Sequence, residues 1–346
     1  MGTRCFLRII EVVFCGIIAP SAFCSHLAEP PPTPVTITLA DPEKGFQITV
    51  EGIEWRTKNM DFHMTSSHYG SPGAVETSLD AISPSLDWDG HAEITYFFNT
   101  LGRDVRLGYY RSHINHSRWK RREPVGGPFS KEKNEWDRAQ GHLENDYDAL
   151  ELLFGQYLIY DTRLLLHPYA GVRYLDLWSR DKGAYFVNDN LPTYRYENIH
   201  YRSEFTGIGP IAGIDGEFRV WRHLNVMGKV AAMLIPGSVE RVVKGRTHEN
   251  ATLTASSTLQ SFPEQTWITP GIETRLGLDY HFIGRHLGAT LGLGYDYVHY
   301  FSATDRSAYS AFGTMEHFND LAYYGPYLRL SVEWWQNPEQ SLYTMT

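Results

Sequence analysis

Charged side chains recur at every second position in several stretches of this chain. Glu273, Arg275 and Asp279 form one such series, Asp215 and Glu217 a second, Arg329 and Glu333 a third. Glu51, Glu93, Arg106, Glu151, Arg173 and Lys229 extend the set, which carries both signs throughout. Two kinds of chemistry suit it. On the wall of an open path these charges set the field that a passing ion feels, and in a filled interior they neutralise one another.

Catalysis and metal binding find less support. Asp61, His63, Asp146 and Asp148 could act as acids and bases, but no nucleophile motif accompanies them, and hydrated loop residues explain them as well. His63 and His68, like His113 and His116, fall in loop-like stretches, whereas zinc needs three or four ligands converging on one point. The run Trp119-Lys120-Arg121-Arg122 could meet lipopolysaccharide phosphates or be a solvated charge run. No phosphate loop, dinucleotide fingerprint or zinc-finger spacing occurs. No catalytic, cofactor-binding or metal-binding residue is therefore assigned, no cofactor is expected, and the chain reads as a non-enzyme.

The elements that position the charges are strands. Residues 268–282 put Ile268, Pro270, Ile272, Thr274, Leu276, Leu278, Tyr280 and Phe282 on one face, and Gly271, Glu273, Arg275, Gly277 and Asp279 on the other. This two-residue period defines a strand with one apolar side. The pattern repeats at 46–50, 90–98, 105–110, 150–158, 164–174, 208–218, 224–234, 287–301 and 322–334. Connections near 57–87, 114–145, 178–203, 240–265 and 302–320 are long, and those near 99–104, 161, 220–223 and 283–285 are short.

Such asymmetry marks an outer-membrane barrel with long extracellular loops and short periplasmic turns. The expected fold is all-β: an antiparallel transmembrane β-barrel of about ten strands, in the range of roughly eight to twelve. Tyr280, Tyr295, Tyr297, Tyr324 and Trp334 are candidate lipid-interface aromatics, since amphipathic rings settle at the membrane edge. Alternation alone also suits a soluble sandwich, but the face opposite the apolar one is glycine-rich and of mixed charge, which fits a crowded lumen better. Pro168, Pro210, Pro270 and Pro326 resist the scheme, because proline cannot donate to a closed ladder; Pro168 lacks even a position near a strand start.

Residues 1–25 read as a secretory signal, with Arg4 and Arg8 before an apolar stretch and small residues at the exit. Residues 26–44 form a proline-rich periplasmic lead-in, 45–335 the barrel and 336–346 a C-terminal tail. Cys5, Cys15 and Cys24 all lie in the signal, so a cleaved chain has no cysteine chemistry. Cleavage moves the formal charge from -9 to -10, with 29 basic against 39 acidic residues after Arg4, Arg8 and Glu11 are removed, and nucleic acid is excluded as a partner. Mean hydropathy is -0.35 and no apolar run nears the length of a spanning helix, whereas barrel strands with one polar face are compatible with both facts.

Three segments resemble one known family: Asp146-Tyr147-Asp148 through Gly155-Gln156; Tyr169-Ala170-Gly171-Val172-Arg173-Tyr174; and Phe205-Thr206-Gly207-Ile208-Gly209-Pro210 with Gly213, Asp215 and Gly216. They are similar to the Legionella major outer membrane protein family, described as pore-forming, with the resemblance strongest over 145–240. It implies a barrel in the outer membrane of a Gram-negative bacterium, with a porin-like or structural surface role and no active site that maps onto these positions. The alternative is a barrel whose loops carry adhesion or a rim hydrolase activity. Expected partners are outer-membrane lipid, lipopolysaccharide and the barrel-assembly machinery, with self-oligomerisation left open.

Overall fold

The computed structural model describes residues 38–39, 45–58, 62–69, 76–82, 87–98, 102–125, 136–161, 163–186, 195–249, 256–284, 287–310 and 313–335. The expected signal peptide, most of the proline-rich lead-in, the C-terminal tail and Asp61 lie outside them. The elements are β1 (Thr38–Leu39), β2 (Gly45–Lys58), β3 (Phe62–Tyr69), β4 (Glu76–Ile82), β5 (Asp87–Phe97), β6 (Arg103–Val125), β7 (Trp136–Gln156), β8 (Leu158–Asp161), β9 (Leu164–Phe186), β10 (Arg195–Trp221), β11 (Leu224–Glu249), β12 (Ser256–Ile283), β13 (Leu287–Ser310) and β14 (Gly313–Trp335).

Ten of these strands close into one antiparallel barrel. The ladder runs β2-β5-β6-β7-β9-β10-β11-β12-β13-β14 and returns to β2, with β7–β9 and β14–β2 pairing as fully as the others. Each of the ten alternating segments in the sequence lies on one of these strands. β8 prolongs β7 past Tyr157 and pairs with β1, and β3 and β4 form a separate hairpin within the β2–β5 connection.

The outer connections differ from the sequence reading. Residues 114–125, 136–145, 178–186, 195–203, 240–249, 256–265, 302–310 and 313–320 are paired strand rather than loop. Above the bilayer the outward face needs no apolar residues, so the two-residue period fades there while the backbone ladder continues. β10 illustrates the result: Ile208 is exposed on the apolar wall, and the strand runs on to Arg195, which at about 3.3 Å per residue and a tilt near 40° adds roughly 30 Å above the bilayer.

All four prolines sit where one side of the ladder is interrupted. Pairing of β10 with β11 skips from Gly207 to Ile211, leaving Pro210 bonded only toward β9; pairing of β14 with β2 skips from Tyr324 to Tyr327 around Pro326. β12 pairs with β13 from Gly271 onward, so Pro270 has no partner on that side. Pro168 stands opposite Gln156, where pairing of β9 with β7 has stopped at Gly155 and pairing with β8 has not yet begun at Leu158, and this gap accounts for the proline the sequence could not place. Gly209 marks a close approach at the first gap, where a Cβ would stand 2.0 Å from the Leu234 carbonyl oxygen. On β13 a bulge at Ser302, with φ of 54°, is capped by its amide donating to Asp320 Oδ1 at 2.9 Å.

The two faces of the wall differ as the alternation requires. Phe46, Ile48, Leu107, Leu152, Val172, Ile208, Leu276, Leu293 and Leu330 point outward and are exposed, while Glu51, Glu151, Arg173, Glu273 and Asp279 point inward and are buried. On β12 the apolar band runs from Ile268 to Phe282, and on β10 from Ile208 to Phe218. The β10 band gives about 25 Å when tilted, the height of a bilayer's apolar layer in such proteins, and the β12 band extends past that height to Tyr280 and Phe282.

Candidate functional site

The inward face gathers the buried charges of the barrel wall, and it is stacked in three layers. Nearest the periplasmic turns, His167 from β9 stands 2.6 Å from Asp104 of β6 and 3.3 Å from Asp215 of β10. Arg106 Nη1 donates to Asp215 at 2.9 Å, and its guanidinium lies 4.4 Å from the Tyr169 ring. In the same layer Asn225 donates to Glu217 at 3.0 Å, Gln47 donates to Glu333 at 3.0 Å, and Arg329 pairs with Asp279. Glu93 accepts from Thr95 at 3.2 Å.

The middle layer is two linked ion clusters. Arg275 from β12 donates to Glu51 of β2 at 2.7 Å and to Asp296 of β13 at 3.3 Å; His91 Nδ1 lies 3.0 Å from Glu51. Arg173 from β9 bonds Glu151 of β7 and Glu273 of β12, and also donates to the Tyr300 hydroxyl at 3.0 Å. Lys229 of β11 stands 2.5 Å from Glu273. Arg173, Glu151 and Glu273 are at most 1% exposed, so these charges face one another rather than water.

Above them follows a layer dominated by rings, with buried polar residues such as Asn145, Asp181 and Arg241 beyond it. Trp55, Tyr110, Tyr147, Tyr300 and Tyr323 meet from β2, β6, β7, β13 and β14, with Ile53, Ile114, Leu175, Phe205 and Ile235 packed around them. Trp55 meets Tyr147 edge-on at 5.2 Å and Tyr323 at 5.3 Å, and the Tyr147 and Tyr300 hydroxyls bond at 3.0 Å. These rings span the interior from wall to wall. Nothing in the sequence pattern singled them out, because Tyr147, Tyr300 and Tyr323 fall in stretches that read as loop or strand end.

Inward glycines make room for this filling. A Cβ on Gly277 would stand 2.1 Å from the Tyr327 hydroxyl, and one on Gly155 would stand 2.2 Å from His167 Nε2. A large side chain thus lies over a glycine of the adjacent strand, as His167 of β9 does over Gly155 of β7, or of the strand beyond it, as Tyr327 of β14 does over Gly277 of β12. Below the middle layer a polar cavity of about 90 Å³ survives, lined among others by Glu93, Arg106, His167, Asp215, Lys229 and Glu333. That volume holds a handful of waters.

The eleven lumen candidates therefore all lie on the inward face: Arg106, Arg173, Glu273, Arg275, Asp279 and Glu333 buried, and Glu93, Asp215, Glu217, Lys229 and Arg329 half-buried. Among the aromatics, Tyr280 and Trp334 are exposed at the periplasmic edge with Phe46 and Phe282, Tyr295 is exposed toward the outer edge, and Tyr297 and Tyr324 are half-buried beside it. The acid–base set is not brought together: Asp146 and Asp148 point outward from β7, where they bond His113 and Tyr109. His63 lies on the separate β3–β4 hairpin. The Trp119–Arg122 run continues β6.

Among solved structures, the outer membrane protease OmpT from Escherichia coli is 7% identical, with 86% of this chain and 98% of that one covered at a TM-score of 0.37. A major outer membrane protein from Thermus thermophilus is 15% identical, covering 68% and 99% at 0.27, and the Pseudomonas putida toluene transporter TodX is 7% identical, covering 84% and 89% at 0.23. No curated protein matches. The family described as Legionella pneumophila major outer membrane protein precursor matches residues 38–334, nearly the whole described barrel. With its closed ten-stranded wall and apolar belt, the chain is a bacterial outer-membrane β-barrel, and it belongs to the Legionella major outer membrane protein family.

Proposed function

We propose that this protein is a structural surface barrel whose lumen is closed at rest, with its extended outer strands projecting from the cell. The observation that carries this reading is the filled interior: Arg173, Glu151 and Glu273 neutralise one another out of water, and the Trp55–Tyr147–Tyr323 rings cap them. An eight-stranded barrel is about filled by its side chains, and two more strands are here occupied by large residues seated over glycines. In this reading the chain is not an enzyme, residues 1–25 are removed on export, and the barrel-assembly machinery inserts the rest.

A second reading, porin-like passage of ions and small polar solutes, is favoured by the polar cavity in the periplasmic half. It requires the ring layer to move aside, since the cavity ends beneath it. Planar-bilayer conductance of the refolded protein separates the two. The closed reading expects no stable ion steps, and regular steps from a correctly folded sample would overturn it.

A further inference from the structure

The outer wall above the apolar belt is banded by charge on β7, β9, β10 and β11. The belt ends at Leu150, Tyr174 and Ile208, which are neighbours in the ladder. Two residues higher come Asp148 and Asp176, and four residues higher Asp146 and Glu204. Beyond these, basic residues predominate on β9, β10 and β11, with Glu144 of β7 the register partner of Arg180 and 4.0 Å from His142. Arg180 and Arg202 are register partners in the next row, and Lys182 and His200 in the row after it, with Lys244 beside His200 on β11. All five basic side chains point outward.

The lower carboxylates have partners of their own: Asp148 bonds Tyr109, Asp146 bonds His113, and Asp176 accepts from Thr206 at 3.3 Å. Arg202 lies 2.5 Å from Glu204. Among the described residues, no carboxylate pairs with Arg180, Lys182 or Lys244. Three cations without an ion-pair partner thus lie on this outward face, Lys244 exposed and Arg180 and Lys182 half-buried.

Height selects the occupant. At about 2.5 Å of rise per tilted residue, the carboxylates stand roughly 5–10 Å above the belt edge and the basic rows roughly 15–20 Å. The headgroup layer of a phospholipid is only about 5–8 Å deep. A phospholipid phosphate would therefore face carboxylates, which repel it, and could not reach the basic rows. A saccharide core carries anions to that height. We propose that Arg180, Lys182, Arg202 and Lys244 bind the phosphate or carboxylate groups of a lipopolysaccharide core, packing this glycolipid against the β7–β11 side of the barrel.

The test compares binding of the refolded full chain in detergent to three ligands: lipopolysaccharide with a phosphorylated core, lipid A alone, and phosphatidylglycerol. An exposed cation near an anionic lipid surface is worth about fivefold in affinity, so three unpaired ones give the core-bearing ligand a preference on the order of 100-fold over lipid A. The preference should shrink with added salt. The Arg180→Gln, Lys182→Gln, Arg202→Gln, Lys244→Gln variant should lose most of it while binding lipid A unchanged. Heat-modifiable gel migration verifies its fold, and the single Lys182→Gln variant, with an expected loss of about fivefold, provides a second reading. The proposal is overturned if the wild type binds lipid A or phosphatidylglycerol as tightly as the core-bearing ligand, or if the folded quadruple variant keeps its preference.

Discussion

Replacing Arg173 by methionine tests whether the middle layer is the dry, neutralised filling the geometry indicates. Arg173 is fully buried, bonds Glu151 and Glu273, and donates to Tyr300 at 3.0 Å. Methionine keeps most of the volume but removes the charge. Lys229, 2.5 Å from Glu273, still compensates that carboxylate, so the loss falls on Glu151. Breaking one partner out of a buried ion pair costs about 3–5 kcal/mol, because the remaining charge is left in low dielectric. Removing both partners together costs far less, since nothing uncompensated stays behind. Denaturant unfolding in detergent, followed by gel mobility and tryptophan fluorescence, should therefore show Arg173→Met destabilised by about 3–5 kcal/mol and the Arg173→Met, Glu151→Gln pair recovering more than half of it. A single-variant loss below about 1 kcal/mol would mean that water reaches Glu151, as for an exposed pair, and the sealed interior would be refuted.

Three further expectations follow from the same packing. Trp55→Ala removes the ring that Tyr147 and Tyr323 pack on; it should cost about 3–5 kcal/mol and give rise to ion steps in planar bilayers absent from the wild type. Gly277→Ala places a Cβ 2.1 Å from the Tyr327 hydroxyl and should cost about 1–3 kcal/mol in the unfolding assay, with partial rescue by Tyr327→Phe, which deletes the clashing oxygen. Leu276→Arg, near the middle of the apolar band on β12, should cost about 2–4 kcal/mol in a bilayer, whereas Glu240→Arg, exposed above the belt, should be near neutral.

The sequence was legible wherever one face of a strand had to be apolar. All ten barrel strands could be found between residues 46 and 334 because lipid on one side enforces a two-residue period over the spanning segment. The outer halves of β6, β7, β9 to β12, β13 and β14 escaped for the converse reason: water lies outside them, so Arg180, Lys182 and Glu240 replace the apolar marks while the ladder goes on. The inward position of Glu273 and Arg275 follows from parity alone, but their partners do not. Arg275 joins Glu51, 224 residues away in sequence, and Arg173 joins Glu273, 100 residues away. Those meetings depend on the stagger between all intervening strands, which no local spacing encodes.

The inward charges also show why a polar lumen is poor evidence for a channel. A barrel strand must cross the inner membrane before it reaches the outer one, and a run of about 18 or more apolar residues would be held there as a spanning helix. Residues 268–282 fall short of that length, and Glu273, Arg275 and Asp279 further interrupt Ile272, Leu276 and Leu278. Polar residues on the inward face thus keep apolar runs short for export, whether or not anything passes through. Once inside, these residues must be satisfied. In this barrel they satisfy one another: Arg173 lies between Glu151 and Glu273, Arg275 between Glu51 and Asp296, and glycines opposite the larger side chains let them reach across. What separates a pore from a sealed wall is therefore the residue volume above the charges, where Trp55, Tyr110, Tyr147, Tyr300 and Tyr323 meet.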